Sequence, residues 1–304
     1  MENAQFRPDV MTSSPTYPIN GETLLFGIIG YPVAQSLSPL IHNAAFRRQK
    51  INAVYVPLAA EKSGAALKKG LLAIDNLRGV SVTIPHKAWA RKFADRVDPL
   101  SERCGAANTL VKRPDGELAA YNTDGPGALE ALKRSVSPRG KRVLLIGYGG
   151  SAAAIGHSLL LEGEISRLII AGRNPKKIKT FVQDLKTKNR KRSSLVCPGE
   201  FADLRGEDAD IIIHTTPLGM KGKPQELPLP EDFIHGSHTV FDIVYNPART
   251  PLLALAAERK AKVVHGYLML LFQAVKQYEL FTGREAPEHL MEQELLRALR
   301  RRGL

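Results

Sequence analysis

The chain has 304 residues, 43% hydrophobic and 24% charged, with a formal charge of +13; it is long enough for two domains, and its composition excludes wholesale disorder. No apolar run approaches the roughly 20 residues that span a bilayer, and residues 1–21, polar with scattered prolines, read as a disordered N-terminal tail without the apolar stretch of a signal peptide. Two cysteines, Cys104 and Cys197, far apart and without metal spacing, argue against a disulfide framework and for a reducing compartment, the cytoplasm by default.

Leu24 to Ile29 is a short apolar run ended by Gly30-Tyr-Pro32, which predicts a buried strand and a loop. Ser38-Pro39 then has the form of a helix start, with apolar residues continuing through Leu40, Ile41, Ala44, Ala45 and Phe46. Ala53 to Leu58 is strand-like, Lys62 to Ala73 helical, and Gly79 to Ile84 a second buried strand stopped by Pro85. This alternation predicts an α/β domain with a largely parallel sheet. Gly125 to Lys133 leads out as a helix to the strand Arg142 to Ile146, a glycine turn, a helix from Ser151 to Leu161 and the strand Leu168 to Ala171. Further strands are expected at Ser194–Val196, Ala209–His214, Thr239–Ile243 and Lys262–Val264, with helices over Tyr267–Phe281 and Pro287–Arg301.

The turn Gly147-Tyr-Gly149-Gly150-Ser151-Ala152 fits the dinucleotide fingerprint with alanine in place of the last glycine. Glycine lets the backbone approach a pyrophosphate, and the helix that follows offers free amides and a positive dipole end. The next strand ends in Ala171-Gly-Arg173-Asn-Pro-Lys-Lys177, with no acid for a ribose 2′-hydroxyl. Arg173 can fork onto a 2′-phosphate and Lys177 adds charge, which favours NADP over NAD; a basic surface loop would read the same way.

Lys87 follows Pro85 just past a strand's C-terminal end, where α/β sheets place ligands. Asp124, in the turn-prone run Asn122-Thr-Asp-Gly125, could orient that lysine and share a proton with it. Beside a nicotinamide the two would form a proton-transfer pair for a ketone; a surface lysine and an Asx turn would fit the spacing equally. Asn108 supplies a neutral amide, and Ser36 and Ser38 supply two hydroxyls near a helix start, a cradle for a carboxylate or, for Ser38, a plain N-cap. No cluster has zinc-ligand spacing, so no metal is expected. The basic runs Lys186 to Arg192 and Arg297 to Arg302 carry few aromatics, which argues against a nucleic-acid surface.

In order along the chain, these motifs resemble those of the shikimate dehydrogenase family. Gly30-Tyr-Pro-Val-Ala-Gln-Ser36-Leu-Ser38-Pro-Leu-Ile-His-Asn43 resembles its substrate-carboxylate motif and Ser81-Val-Thr83-Ile-Pro-His-Lys87 the segment of its catalytic lysine. Gly105-Ala-Ala-Asn108, Asn122-Thr-Asp124-Gly125, Thr215-Thr-Pro-Leu-Gly219-Met220, Asp242-Ile-Val-Tyr245 and Gly266-Tyr-Leu-Met-Leu-Leu-Phe-Gln273 continue the match. The resemblance implies a substrate-binding catalytic domain of residues 22–123 and 267–304, a Rossmann-type NADP-binding domain of residues 124–266, and C-terminal helices that return to the first domain. It implies reversible reduction of 3-dehydroshikimate to shikimate by NADPH, a step in the shikimate pathway of aromatic amino acid biosynthesis, by a monomer or homodimer acting on a small molecule, with neither nucleic acid nor membrane as partner. By it Lys87 and Asp124 are catalytic; Ser36, Ser38, Thr83, Asn108, Tyr245 and Gln273 meet the substrate; and Gly147, Gly149, Gly150, Ser151, Ala152, Arg173, Lys177, Thr215 and Gly266 meet the cofactor.

The chain departs from the family pattern at four places. Gln35 stands where a histidine is common, Ala152-Ala-Ala154 where an arginine is usual, and Gly172 and His214 where asparagines are usual. The last three bear on cofactor affinity and preference more than on the reaction. A quinate or dual quinate/shikimate dehydrogenase using NAD or both cofactors would share most of this site, and a non-catalytic NADP-binding sensor would share the fold.

Overall fold

The computed structural model describes residues 19–303, so the expected N-terminal tail lies almost wholly outside them. The chain builds two six-stranded sheets. In the first, β1 (Leu24–Gly30), α1 (Ser38–Arg48), β2 (Ala53–Ala59), α2 (Ala65–Ala73) and β3 (Leu77–Val82) alternate as their apolar runs predict. They are followed by α3 (Lys87–Phe93), β4 (Arg96–Val97), α4 (Pro99–Cys104), β5 (Thr109–Lys112) and β6 (Leu118–Tyr121). Strand order is β2-β1-β3-β5-β6-β4. β1, β2 and β3 run parallel, whereas β5 pairs antiparallel with both β3 and β6. The antiparallel hairpin follows from Pro114-Asp115-Gly116, where Gly116 takes φ +86° and its N–H closes the turn on the Arg113 carbonyl at 3.0 Å.

From α5 (Asp124–Lys133) the chain enters the second sheet through β7 (Arg142–Ile146), α6 (Gly150–Glu162), β8 (Arg167–Ala171), α7 (Pro175–Lys188), β9 (Val196–Pro198), β10 (Ile211–His214), β11 (Thr239–Asp242), α8 (Pro251–Glu258) and β12 (Lys262–His265). All six strands are parallel in the order β12-β11-β10-β7-β8-β9, the doubly wound arrangement whose direction reverses between its first and fourth strands. Buried on both faces, β7, β8 and β10 are runs of Ile, Leu and Val. Lys176 and Lys177 lie in the first turn of α7, capped by the Asn174 side chain, and not in an open basic loop.

α9 (Gly266–Thr282) and α10 (Glu288–Arg301) close the molecule. Leu271, Val275 and Tyr278 of α9, with Met291 and Leu295 of α10, share one core with Phe26, Ile41, Phe46 and Tyr55 of the first sheet. Leu268, Met269 and Phe272, on another side of α9, join the core of the second sheet with Leu132, Leu145, Ile155 and Ile170. Each such side chain stabilises the fold by about 1.5–3 kcal/mol, so α9 holds the two halves together.

Two histidines lie within these cores. His42 of α1 is fully buried and stacked on Tyr55, ring centres 4.4 Å apart at 4°. Neither ring nitrogen has a partner in hydrogen-bond geometry; Gln277 approaches and only partly opposes the burial that pushes the pKa from 6.5 down to about 3. Burial likewise lowers His157 in α6 to about 4. The unfolded chain therefore binds more protons below the ordinary histidine pKa, and stability fully present above it is lost as pH falls toward the folded values. For each histidine the loss is about 1.4 kcal/mol per pH unit through that window. The melting temperature is expected to fall between about pH 7 and about pH 5, and to fall less steeply in His42→Phe, which keeps the stack without the titration. Superimposable pH dependences for the two proteins would remove His42 as a source.

Candidate active site

In each sheet a crevice opens where strand order reverses: between β1 and β3 in the first, and between β7 and β10 in the second. The loop after β1 carries Ser36 and Ser38. The expectation that Ser38 caps α1 is not met. Leu37 is the N-cap residue and no side chain caps the helix, so the Ser38 hydroxyl is not engaged in capping. The Ser38 N–H instead donates to Ser36 Oγ at 3.2 Å. Thr83 follows β3, and Lys87 is the first residue of α3.

The Lys87 ammonium donates to Asp124 Oδ2 at 2.6 Å. Side-chain exposure is 29% for Lys87 and 11% for Asp124, so the lysine is the member of the pair open to an incoming molecule. Asp124 opens α5, where the helix dipole favours a carboxylate. Its other oxygen, Oδ1, accepts from the Asn108 amide at 2.9 Å. That amide also donates to Thr123 Oγ1 at 2.9 Å, while its carbonyl accepts from the Thr123 N–H at 2.8 Å and the Thr109 hydroxyl at 2.9 Å. Asn108, expected as a substrate contact, thus has its amide engaged inside the protein and aims Asp124.

These residues line one cavity of about 330 Å³ with Thr83, Ser36 and Ser38. Tyr245, from the loop after β11, lines it too, its phenol pKa pushed up by burial. So does Gln273 of α9, whose Nε2 donates to the Leu270 carbonyl at 2.9 Å. All eight expected catalytic and substrate residues therefore meet in one place. Sequence reading missed Ser81 and Gln277, which also line it. Gln277 lies four residues after Gln273 on the same helix, a spacing that puts both on one face. Arg302, in the basic C-terminal run, donates to the Gln35 carbonyl at 2.6 Å, next to Ser36.

A second cavity of about 320 Å³ lies over the glycine turn. Gly147 has φ +125°, and any Cβ there would come within 2.3 Å of Thr215 Oγ1, so only glycine fits. A Cβ on Gly149 or Gly150 would meet open space, and no side chain caps α6; its first-turn amides are available to an anion. Arg173, Tyr148 and Thr215 line the cavity, and among the described residues no Asp or Glu does. This donor set fits a dinucleotide whose ribose end carries a further phosphate.

Five of the expected cofactor residues, Gly150, Ser151, Ala152, Lys177 and Gly266, do not line this second cavity. Ser151 and Gly266 line the first cavity, at its junction with the second sheet. Ala152 is fully buried and serves the close packing of α6 on the sheet. Lys177 lies with its Nζ 5.7 Å from the Tyr148 ring centre, a cation–π contact with a residue that lines the pocket. His214, in place of an asparagine, is buried. Its Nδ1 lies 3.0 Å from Asp242 Oδ1 and its Nε2 2.5 Å from Thr216 Oγ1, which ties β10, β11 and the pocket loop together.

Among the described residues no helix is long and apolar enough to cross a membrane, and no group of His, Cys, Asp and Glu is placed to hold a metal. A doubly wound dinucleotide sheet facing a separate sheet that carries a lysine–aspartate pair defines a two-domain α/β dehydrogenase. The model of the shikimate dehydrogenase substrate binding domain matches residues 28–110, and that of the shikimate 5′-dehydrogenase C-terminal domain matches residues 266–296. The NADP(+)-dependent shikimate dehydrogenase of Leptospira interrogans is 42% identical over 271 residues, 87% of this chain and 91% of that one. The chain belongs to the shikimate dehydrogenase family. A solved shikimate dehydrogenase in complex with NADP+ superposes with a TM-score of 0.86 at 32% identity, covering 93% of this chain and 98% of that one. The quinate dehydrogenase of Corynebacterium glutamicum in complex with NAD gives 0.82 at 25% identity, covering 90% and 99%.

Proposed function

We propose that this chain catalyses the reversible, NADP-linked interconversion of 3-dehydroshikimate and shikimate, in the cytoplasm. The observation that carries this reading is the Lys87–Asp124 contact at 2.6 Å inside the same cavity as the paired hydroxyls of Ser36 and Ser38. The relatives named shikimate dehydrogenase (NADP(+)) support it.

Ser36 and Ser38 hold the substrate carboxylate, and Thr83, Gln273 and Tyr245 surround the ring. Bound NADPH supplies the hydride that the carbonyl carbon receives. Lys87 hydrogen-bonds the carbonyl oxygen and delivers the proton that makes it a hydroxyl; in the reverse direction it takes that proton back. Asp124 keeps the lysine pointed at that oxygen. Arg173 would hold the 2′-phosphate and the first-turn amides of α6 the pyrophosphate, with Tyr148, against whose ring Lys177 lies, lining the pocket.

Initial rates with shikimate or quinate, each with NADP or NAD, test the assignment. Turnover of shikimate with NADP is expected to be fastest; faster turnover of quinate with NAD would overturn it, and no turnover on any pair would favour a sensor. Lys87→Ala is expected to lower kcat by about 10²–10⁴-fold with little change in the KM for shikimate. An unchanged kcat would remove the proton-transfer role. Arg173→Ala is expected to raise the KM for NADP by roughly 10-fold or more, the worth of a charge-assisted pair, and to leave that for NAD nearly unchanged. Equal effects on both cofactors would contradict 2′-phosphate recognition.

A further inference from the structure

We propose that Gln277 of α9 is a positioning residue that fixes Asp124 toward Lys87 through Thr109 and Asn108. The inference deepens the function proposed above and rests on it. Ser81, Gln277, Thr109 and Asn108 are each no more than 3% exposed, and Tyr55 is 1% exposed. The Tyr55 hydroxyl donates to Ser81 Oγ at 2.6 Å, and Ser81 Oγ donates to Gln277 Oε1 at 2.7 Å. The Asn108 backbone carbonyl, which can only accept, sets which end of the Gln277 amide is nitrogen. That nitrogen donates to the carbonyl at 3.1 Å and to Thr109 Oγ1 at 3.0 Å. Having accepted there, the Thr109 hydroxyl directs its proton to Asn108 Oδ1 at 2.9 Å, which leaves the Asn108 amide nitrogen to face Asp124 Oδ1 at 2.9 Å.

The chain of donors runs in one direction from Tyr55 to the carboxylate. Turning the Asn108 amide over would set its oxygen against Asp124 and its nitrogen against the Thr123 N–H, so a reversed amide repels at both ends. Gln277 lines the cavity, but both its N–H groups and its oxygen are engaged, so it has no donor for a substrate. A residue that only filled space here would not need to be polar. Gln277 acts on the reaction through Asn108, not by contact.

Gln277→Met keeps length and volume and removes the amide; Thr109→Val removes the next link without touching α9. Each is expected to lower kcat for the substrate turned over by the wild type by roughly 10-fold. KM for that substrate and the NADP dissociation constant, read by fluorescence titration, should stay within about 2-fold of wild type. The double variant should lose no more than the worse single one, because both break one chain. Multiplying losses, or a kcat within about 2-fold of wild type in both single variants, would overturn the proposal. If Gln277→Met does not fold, Thr109→Val decides by the same criteria. Crystal structures of the variants give a readout independent of turnover: the Lys87–Asp124 contact is expected to open, and its retention in both would overturn the proposal even if the wild type reduces none of the compounds tried.

Discussion

The two carboxylate oxygens of Asp124 are held to different partners, Oδ1 by the Asn108 amide and Oδ2 by the Lys87 ammonium. A part-buried carboxylate with a free choice of partners would rotate between the lysine, water and nearby amides. Here the choice is removed twice. Asn108 grips Oδ1 from one side, and the Asp124 N–H is held by the Asn122 side chain at 3.0 Å from the other. Lys87 then meets a carboxylate already oriented, so the entropy of aligning the pair is met in folding and not during turnover. The antiparallel pairing of β5 with β6 places Asn108, the residue just before β5, beside Thr123 and the start of α5.

The two crevices do not work alone. The substrate cavity borrows Ser151, Ile243 and Gly266 from the dinucleotide half, and the glycine at 266 lies so close to the Ile243 carbonyl that a Cβ would sit 2.4 Å from it. The cleft between the sheets is therefore lined from both sides, and the reacting centres of a ketone and a nicotinamide can be brought into register there. On the cofactor side Arg173 lines the second cavity and, among the described residues, no acid does, an electrostatic setting that suits a phosphate.

Much of this was legible from sequence because buried parallel strands are short Ile/Leu/Val runs and crevice loops follow their ends. Lys87, Ser36 and Arg173 all sit just past such runs, whereas Asp124 follows β6, a Leu-Ala-Ala-Tyr strand without that signature. What stayed hidden has identifiable reasons. α3 begins at Lys87 with a histidine N-cap whose side chain makes no capping bond, so no Ser, Thr, Asp or Asn marks the start. β4 is two residues long. Ser81 and Gln277 are hydrogen-bonded across 196 positions of chain, and only the fold shows that they meet. Pro114-Asp115-Gly116 did carry a hairpin signal, and the alternation of strands and helices around it pointed to a parallel connection. Ser151 and Gly266 were assigned to the dinucleotide by motif, and only the fold shows that they also line the first cavity.

The helices that cover the first sheet come from the far end of the chain, and this reverses the order in which the molecule can be finished. During synthesis β1, α1 and β2 emerge first, and Phe26 and Phe46 can pack on each other and on Ile41, yet this core stays uncovered on one side until Leu271, Tyr278 and Met291 have been made. The second sheet is continuous in sequence and needs only the start of α9 to cover its face. The half that leaves the ribosome first is completed last, and for most of translation it exposes a half-built apolar face to the cell.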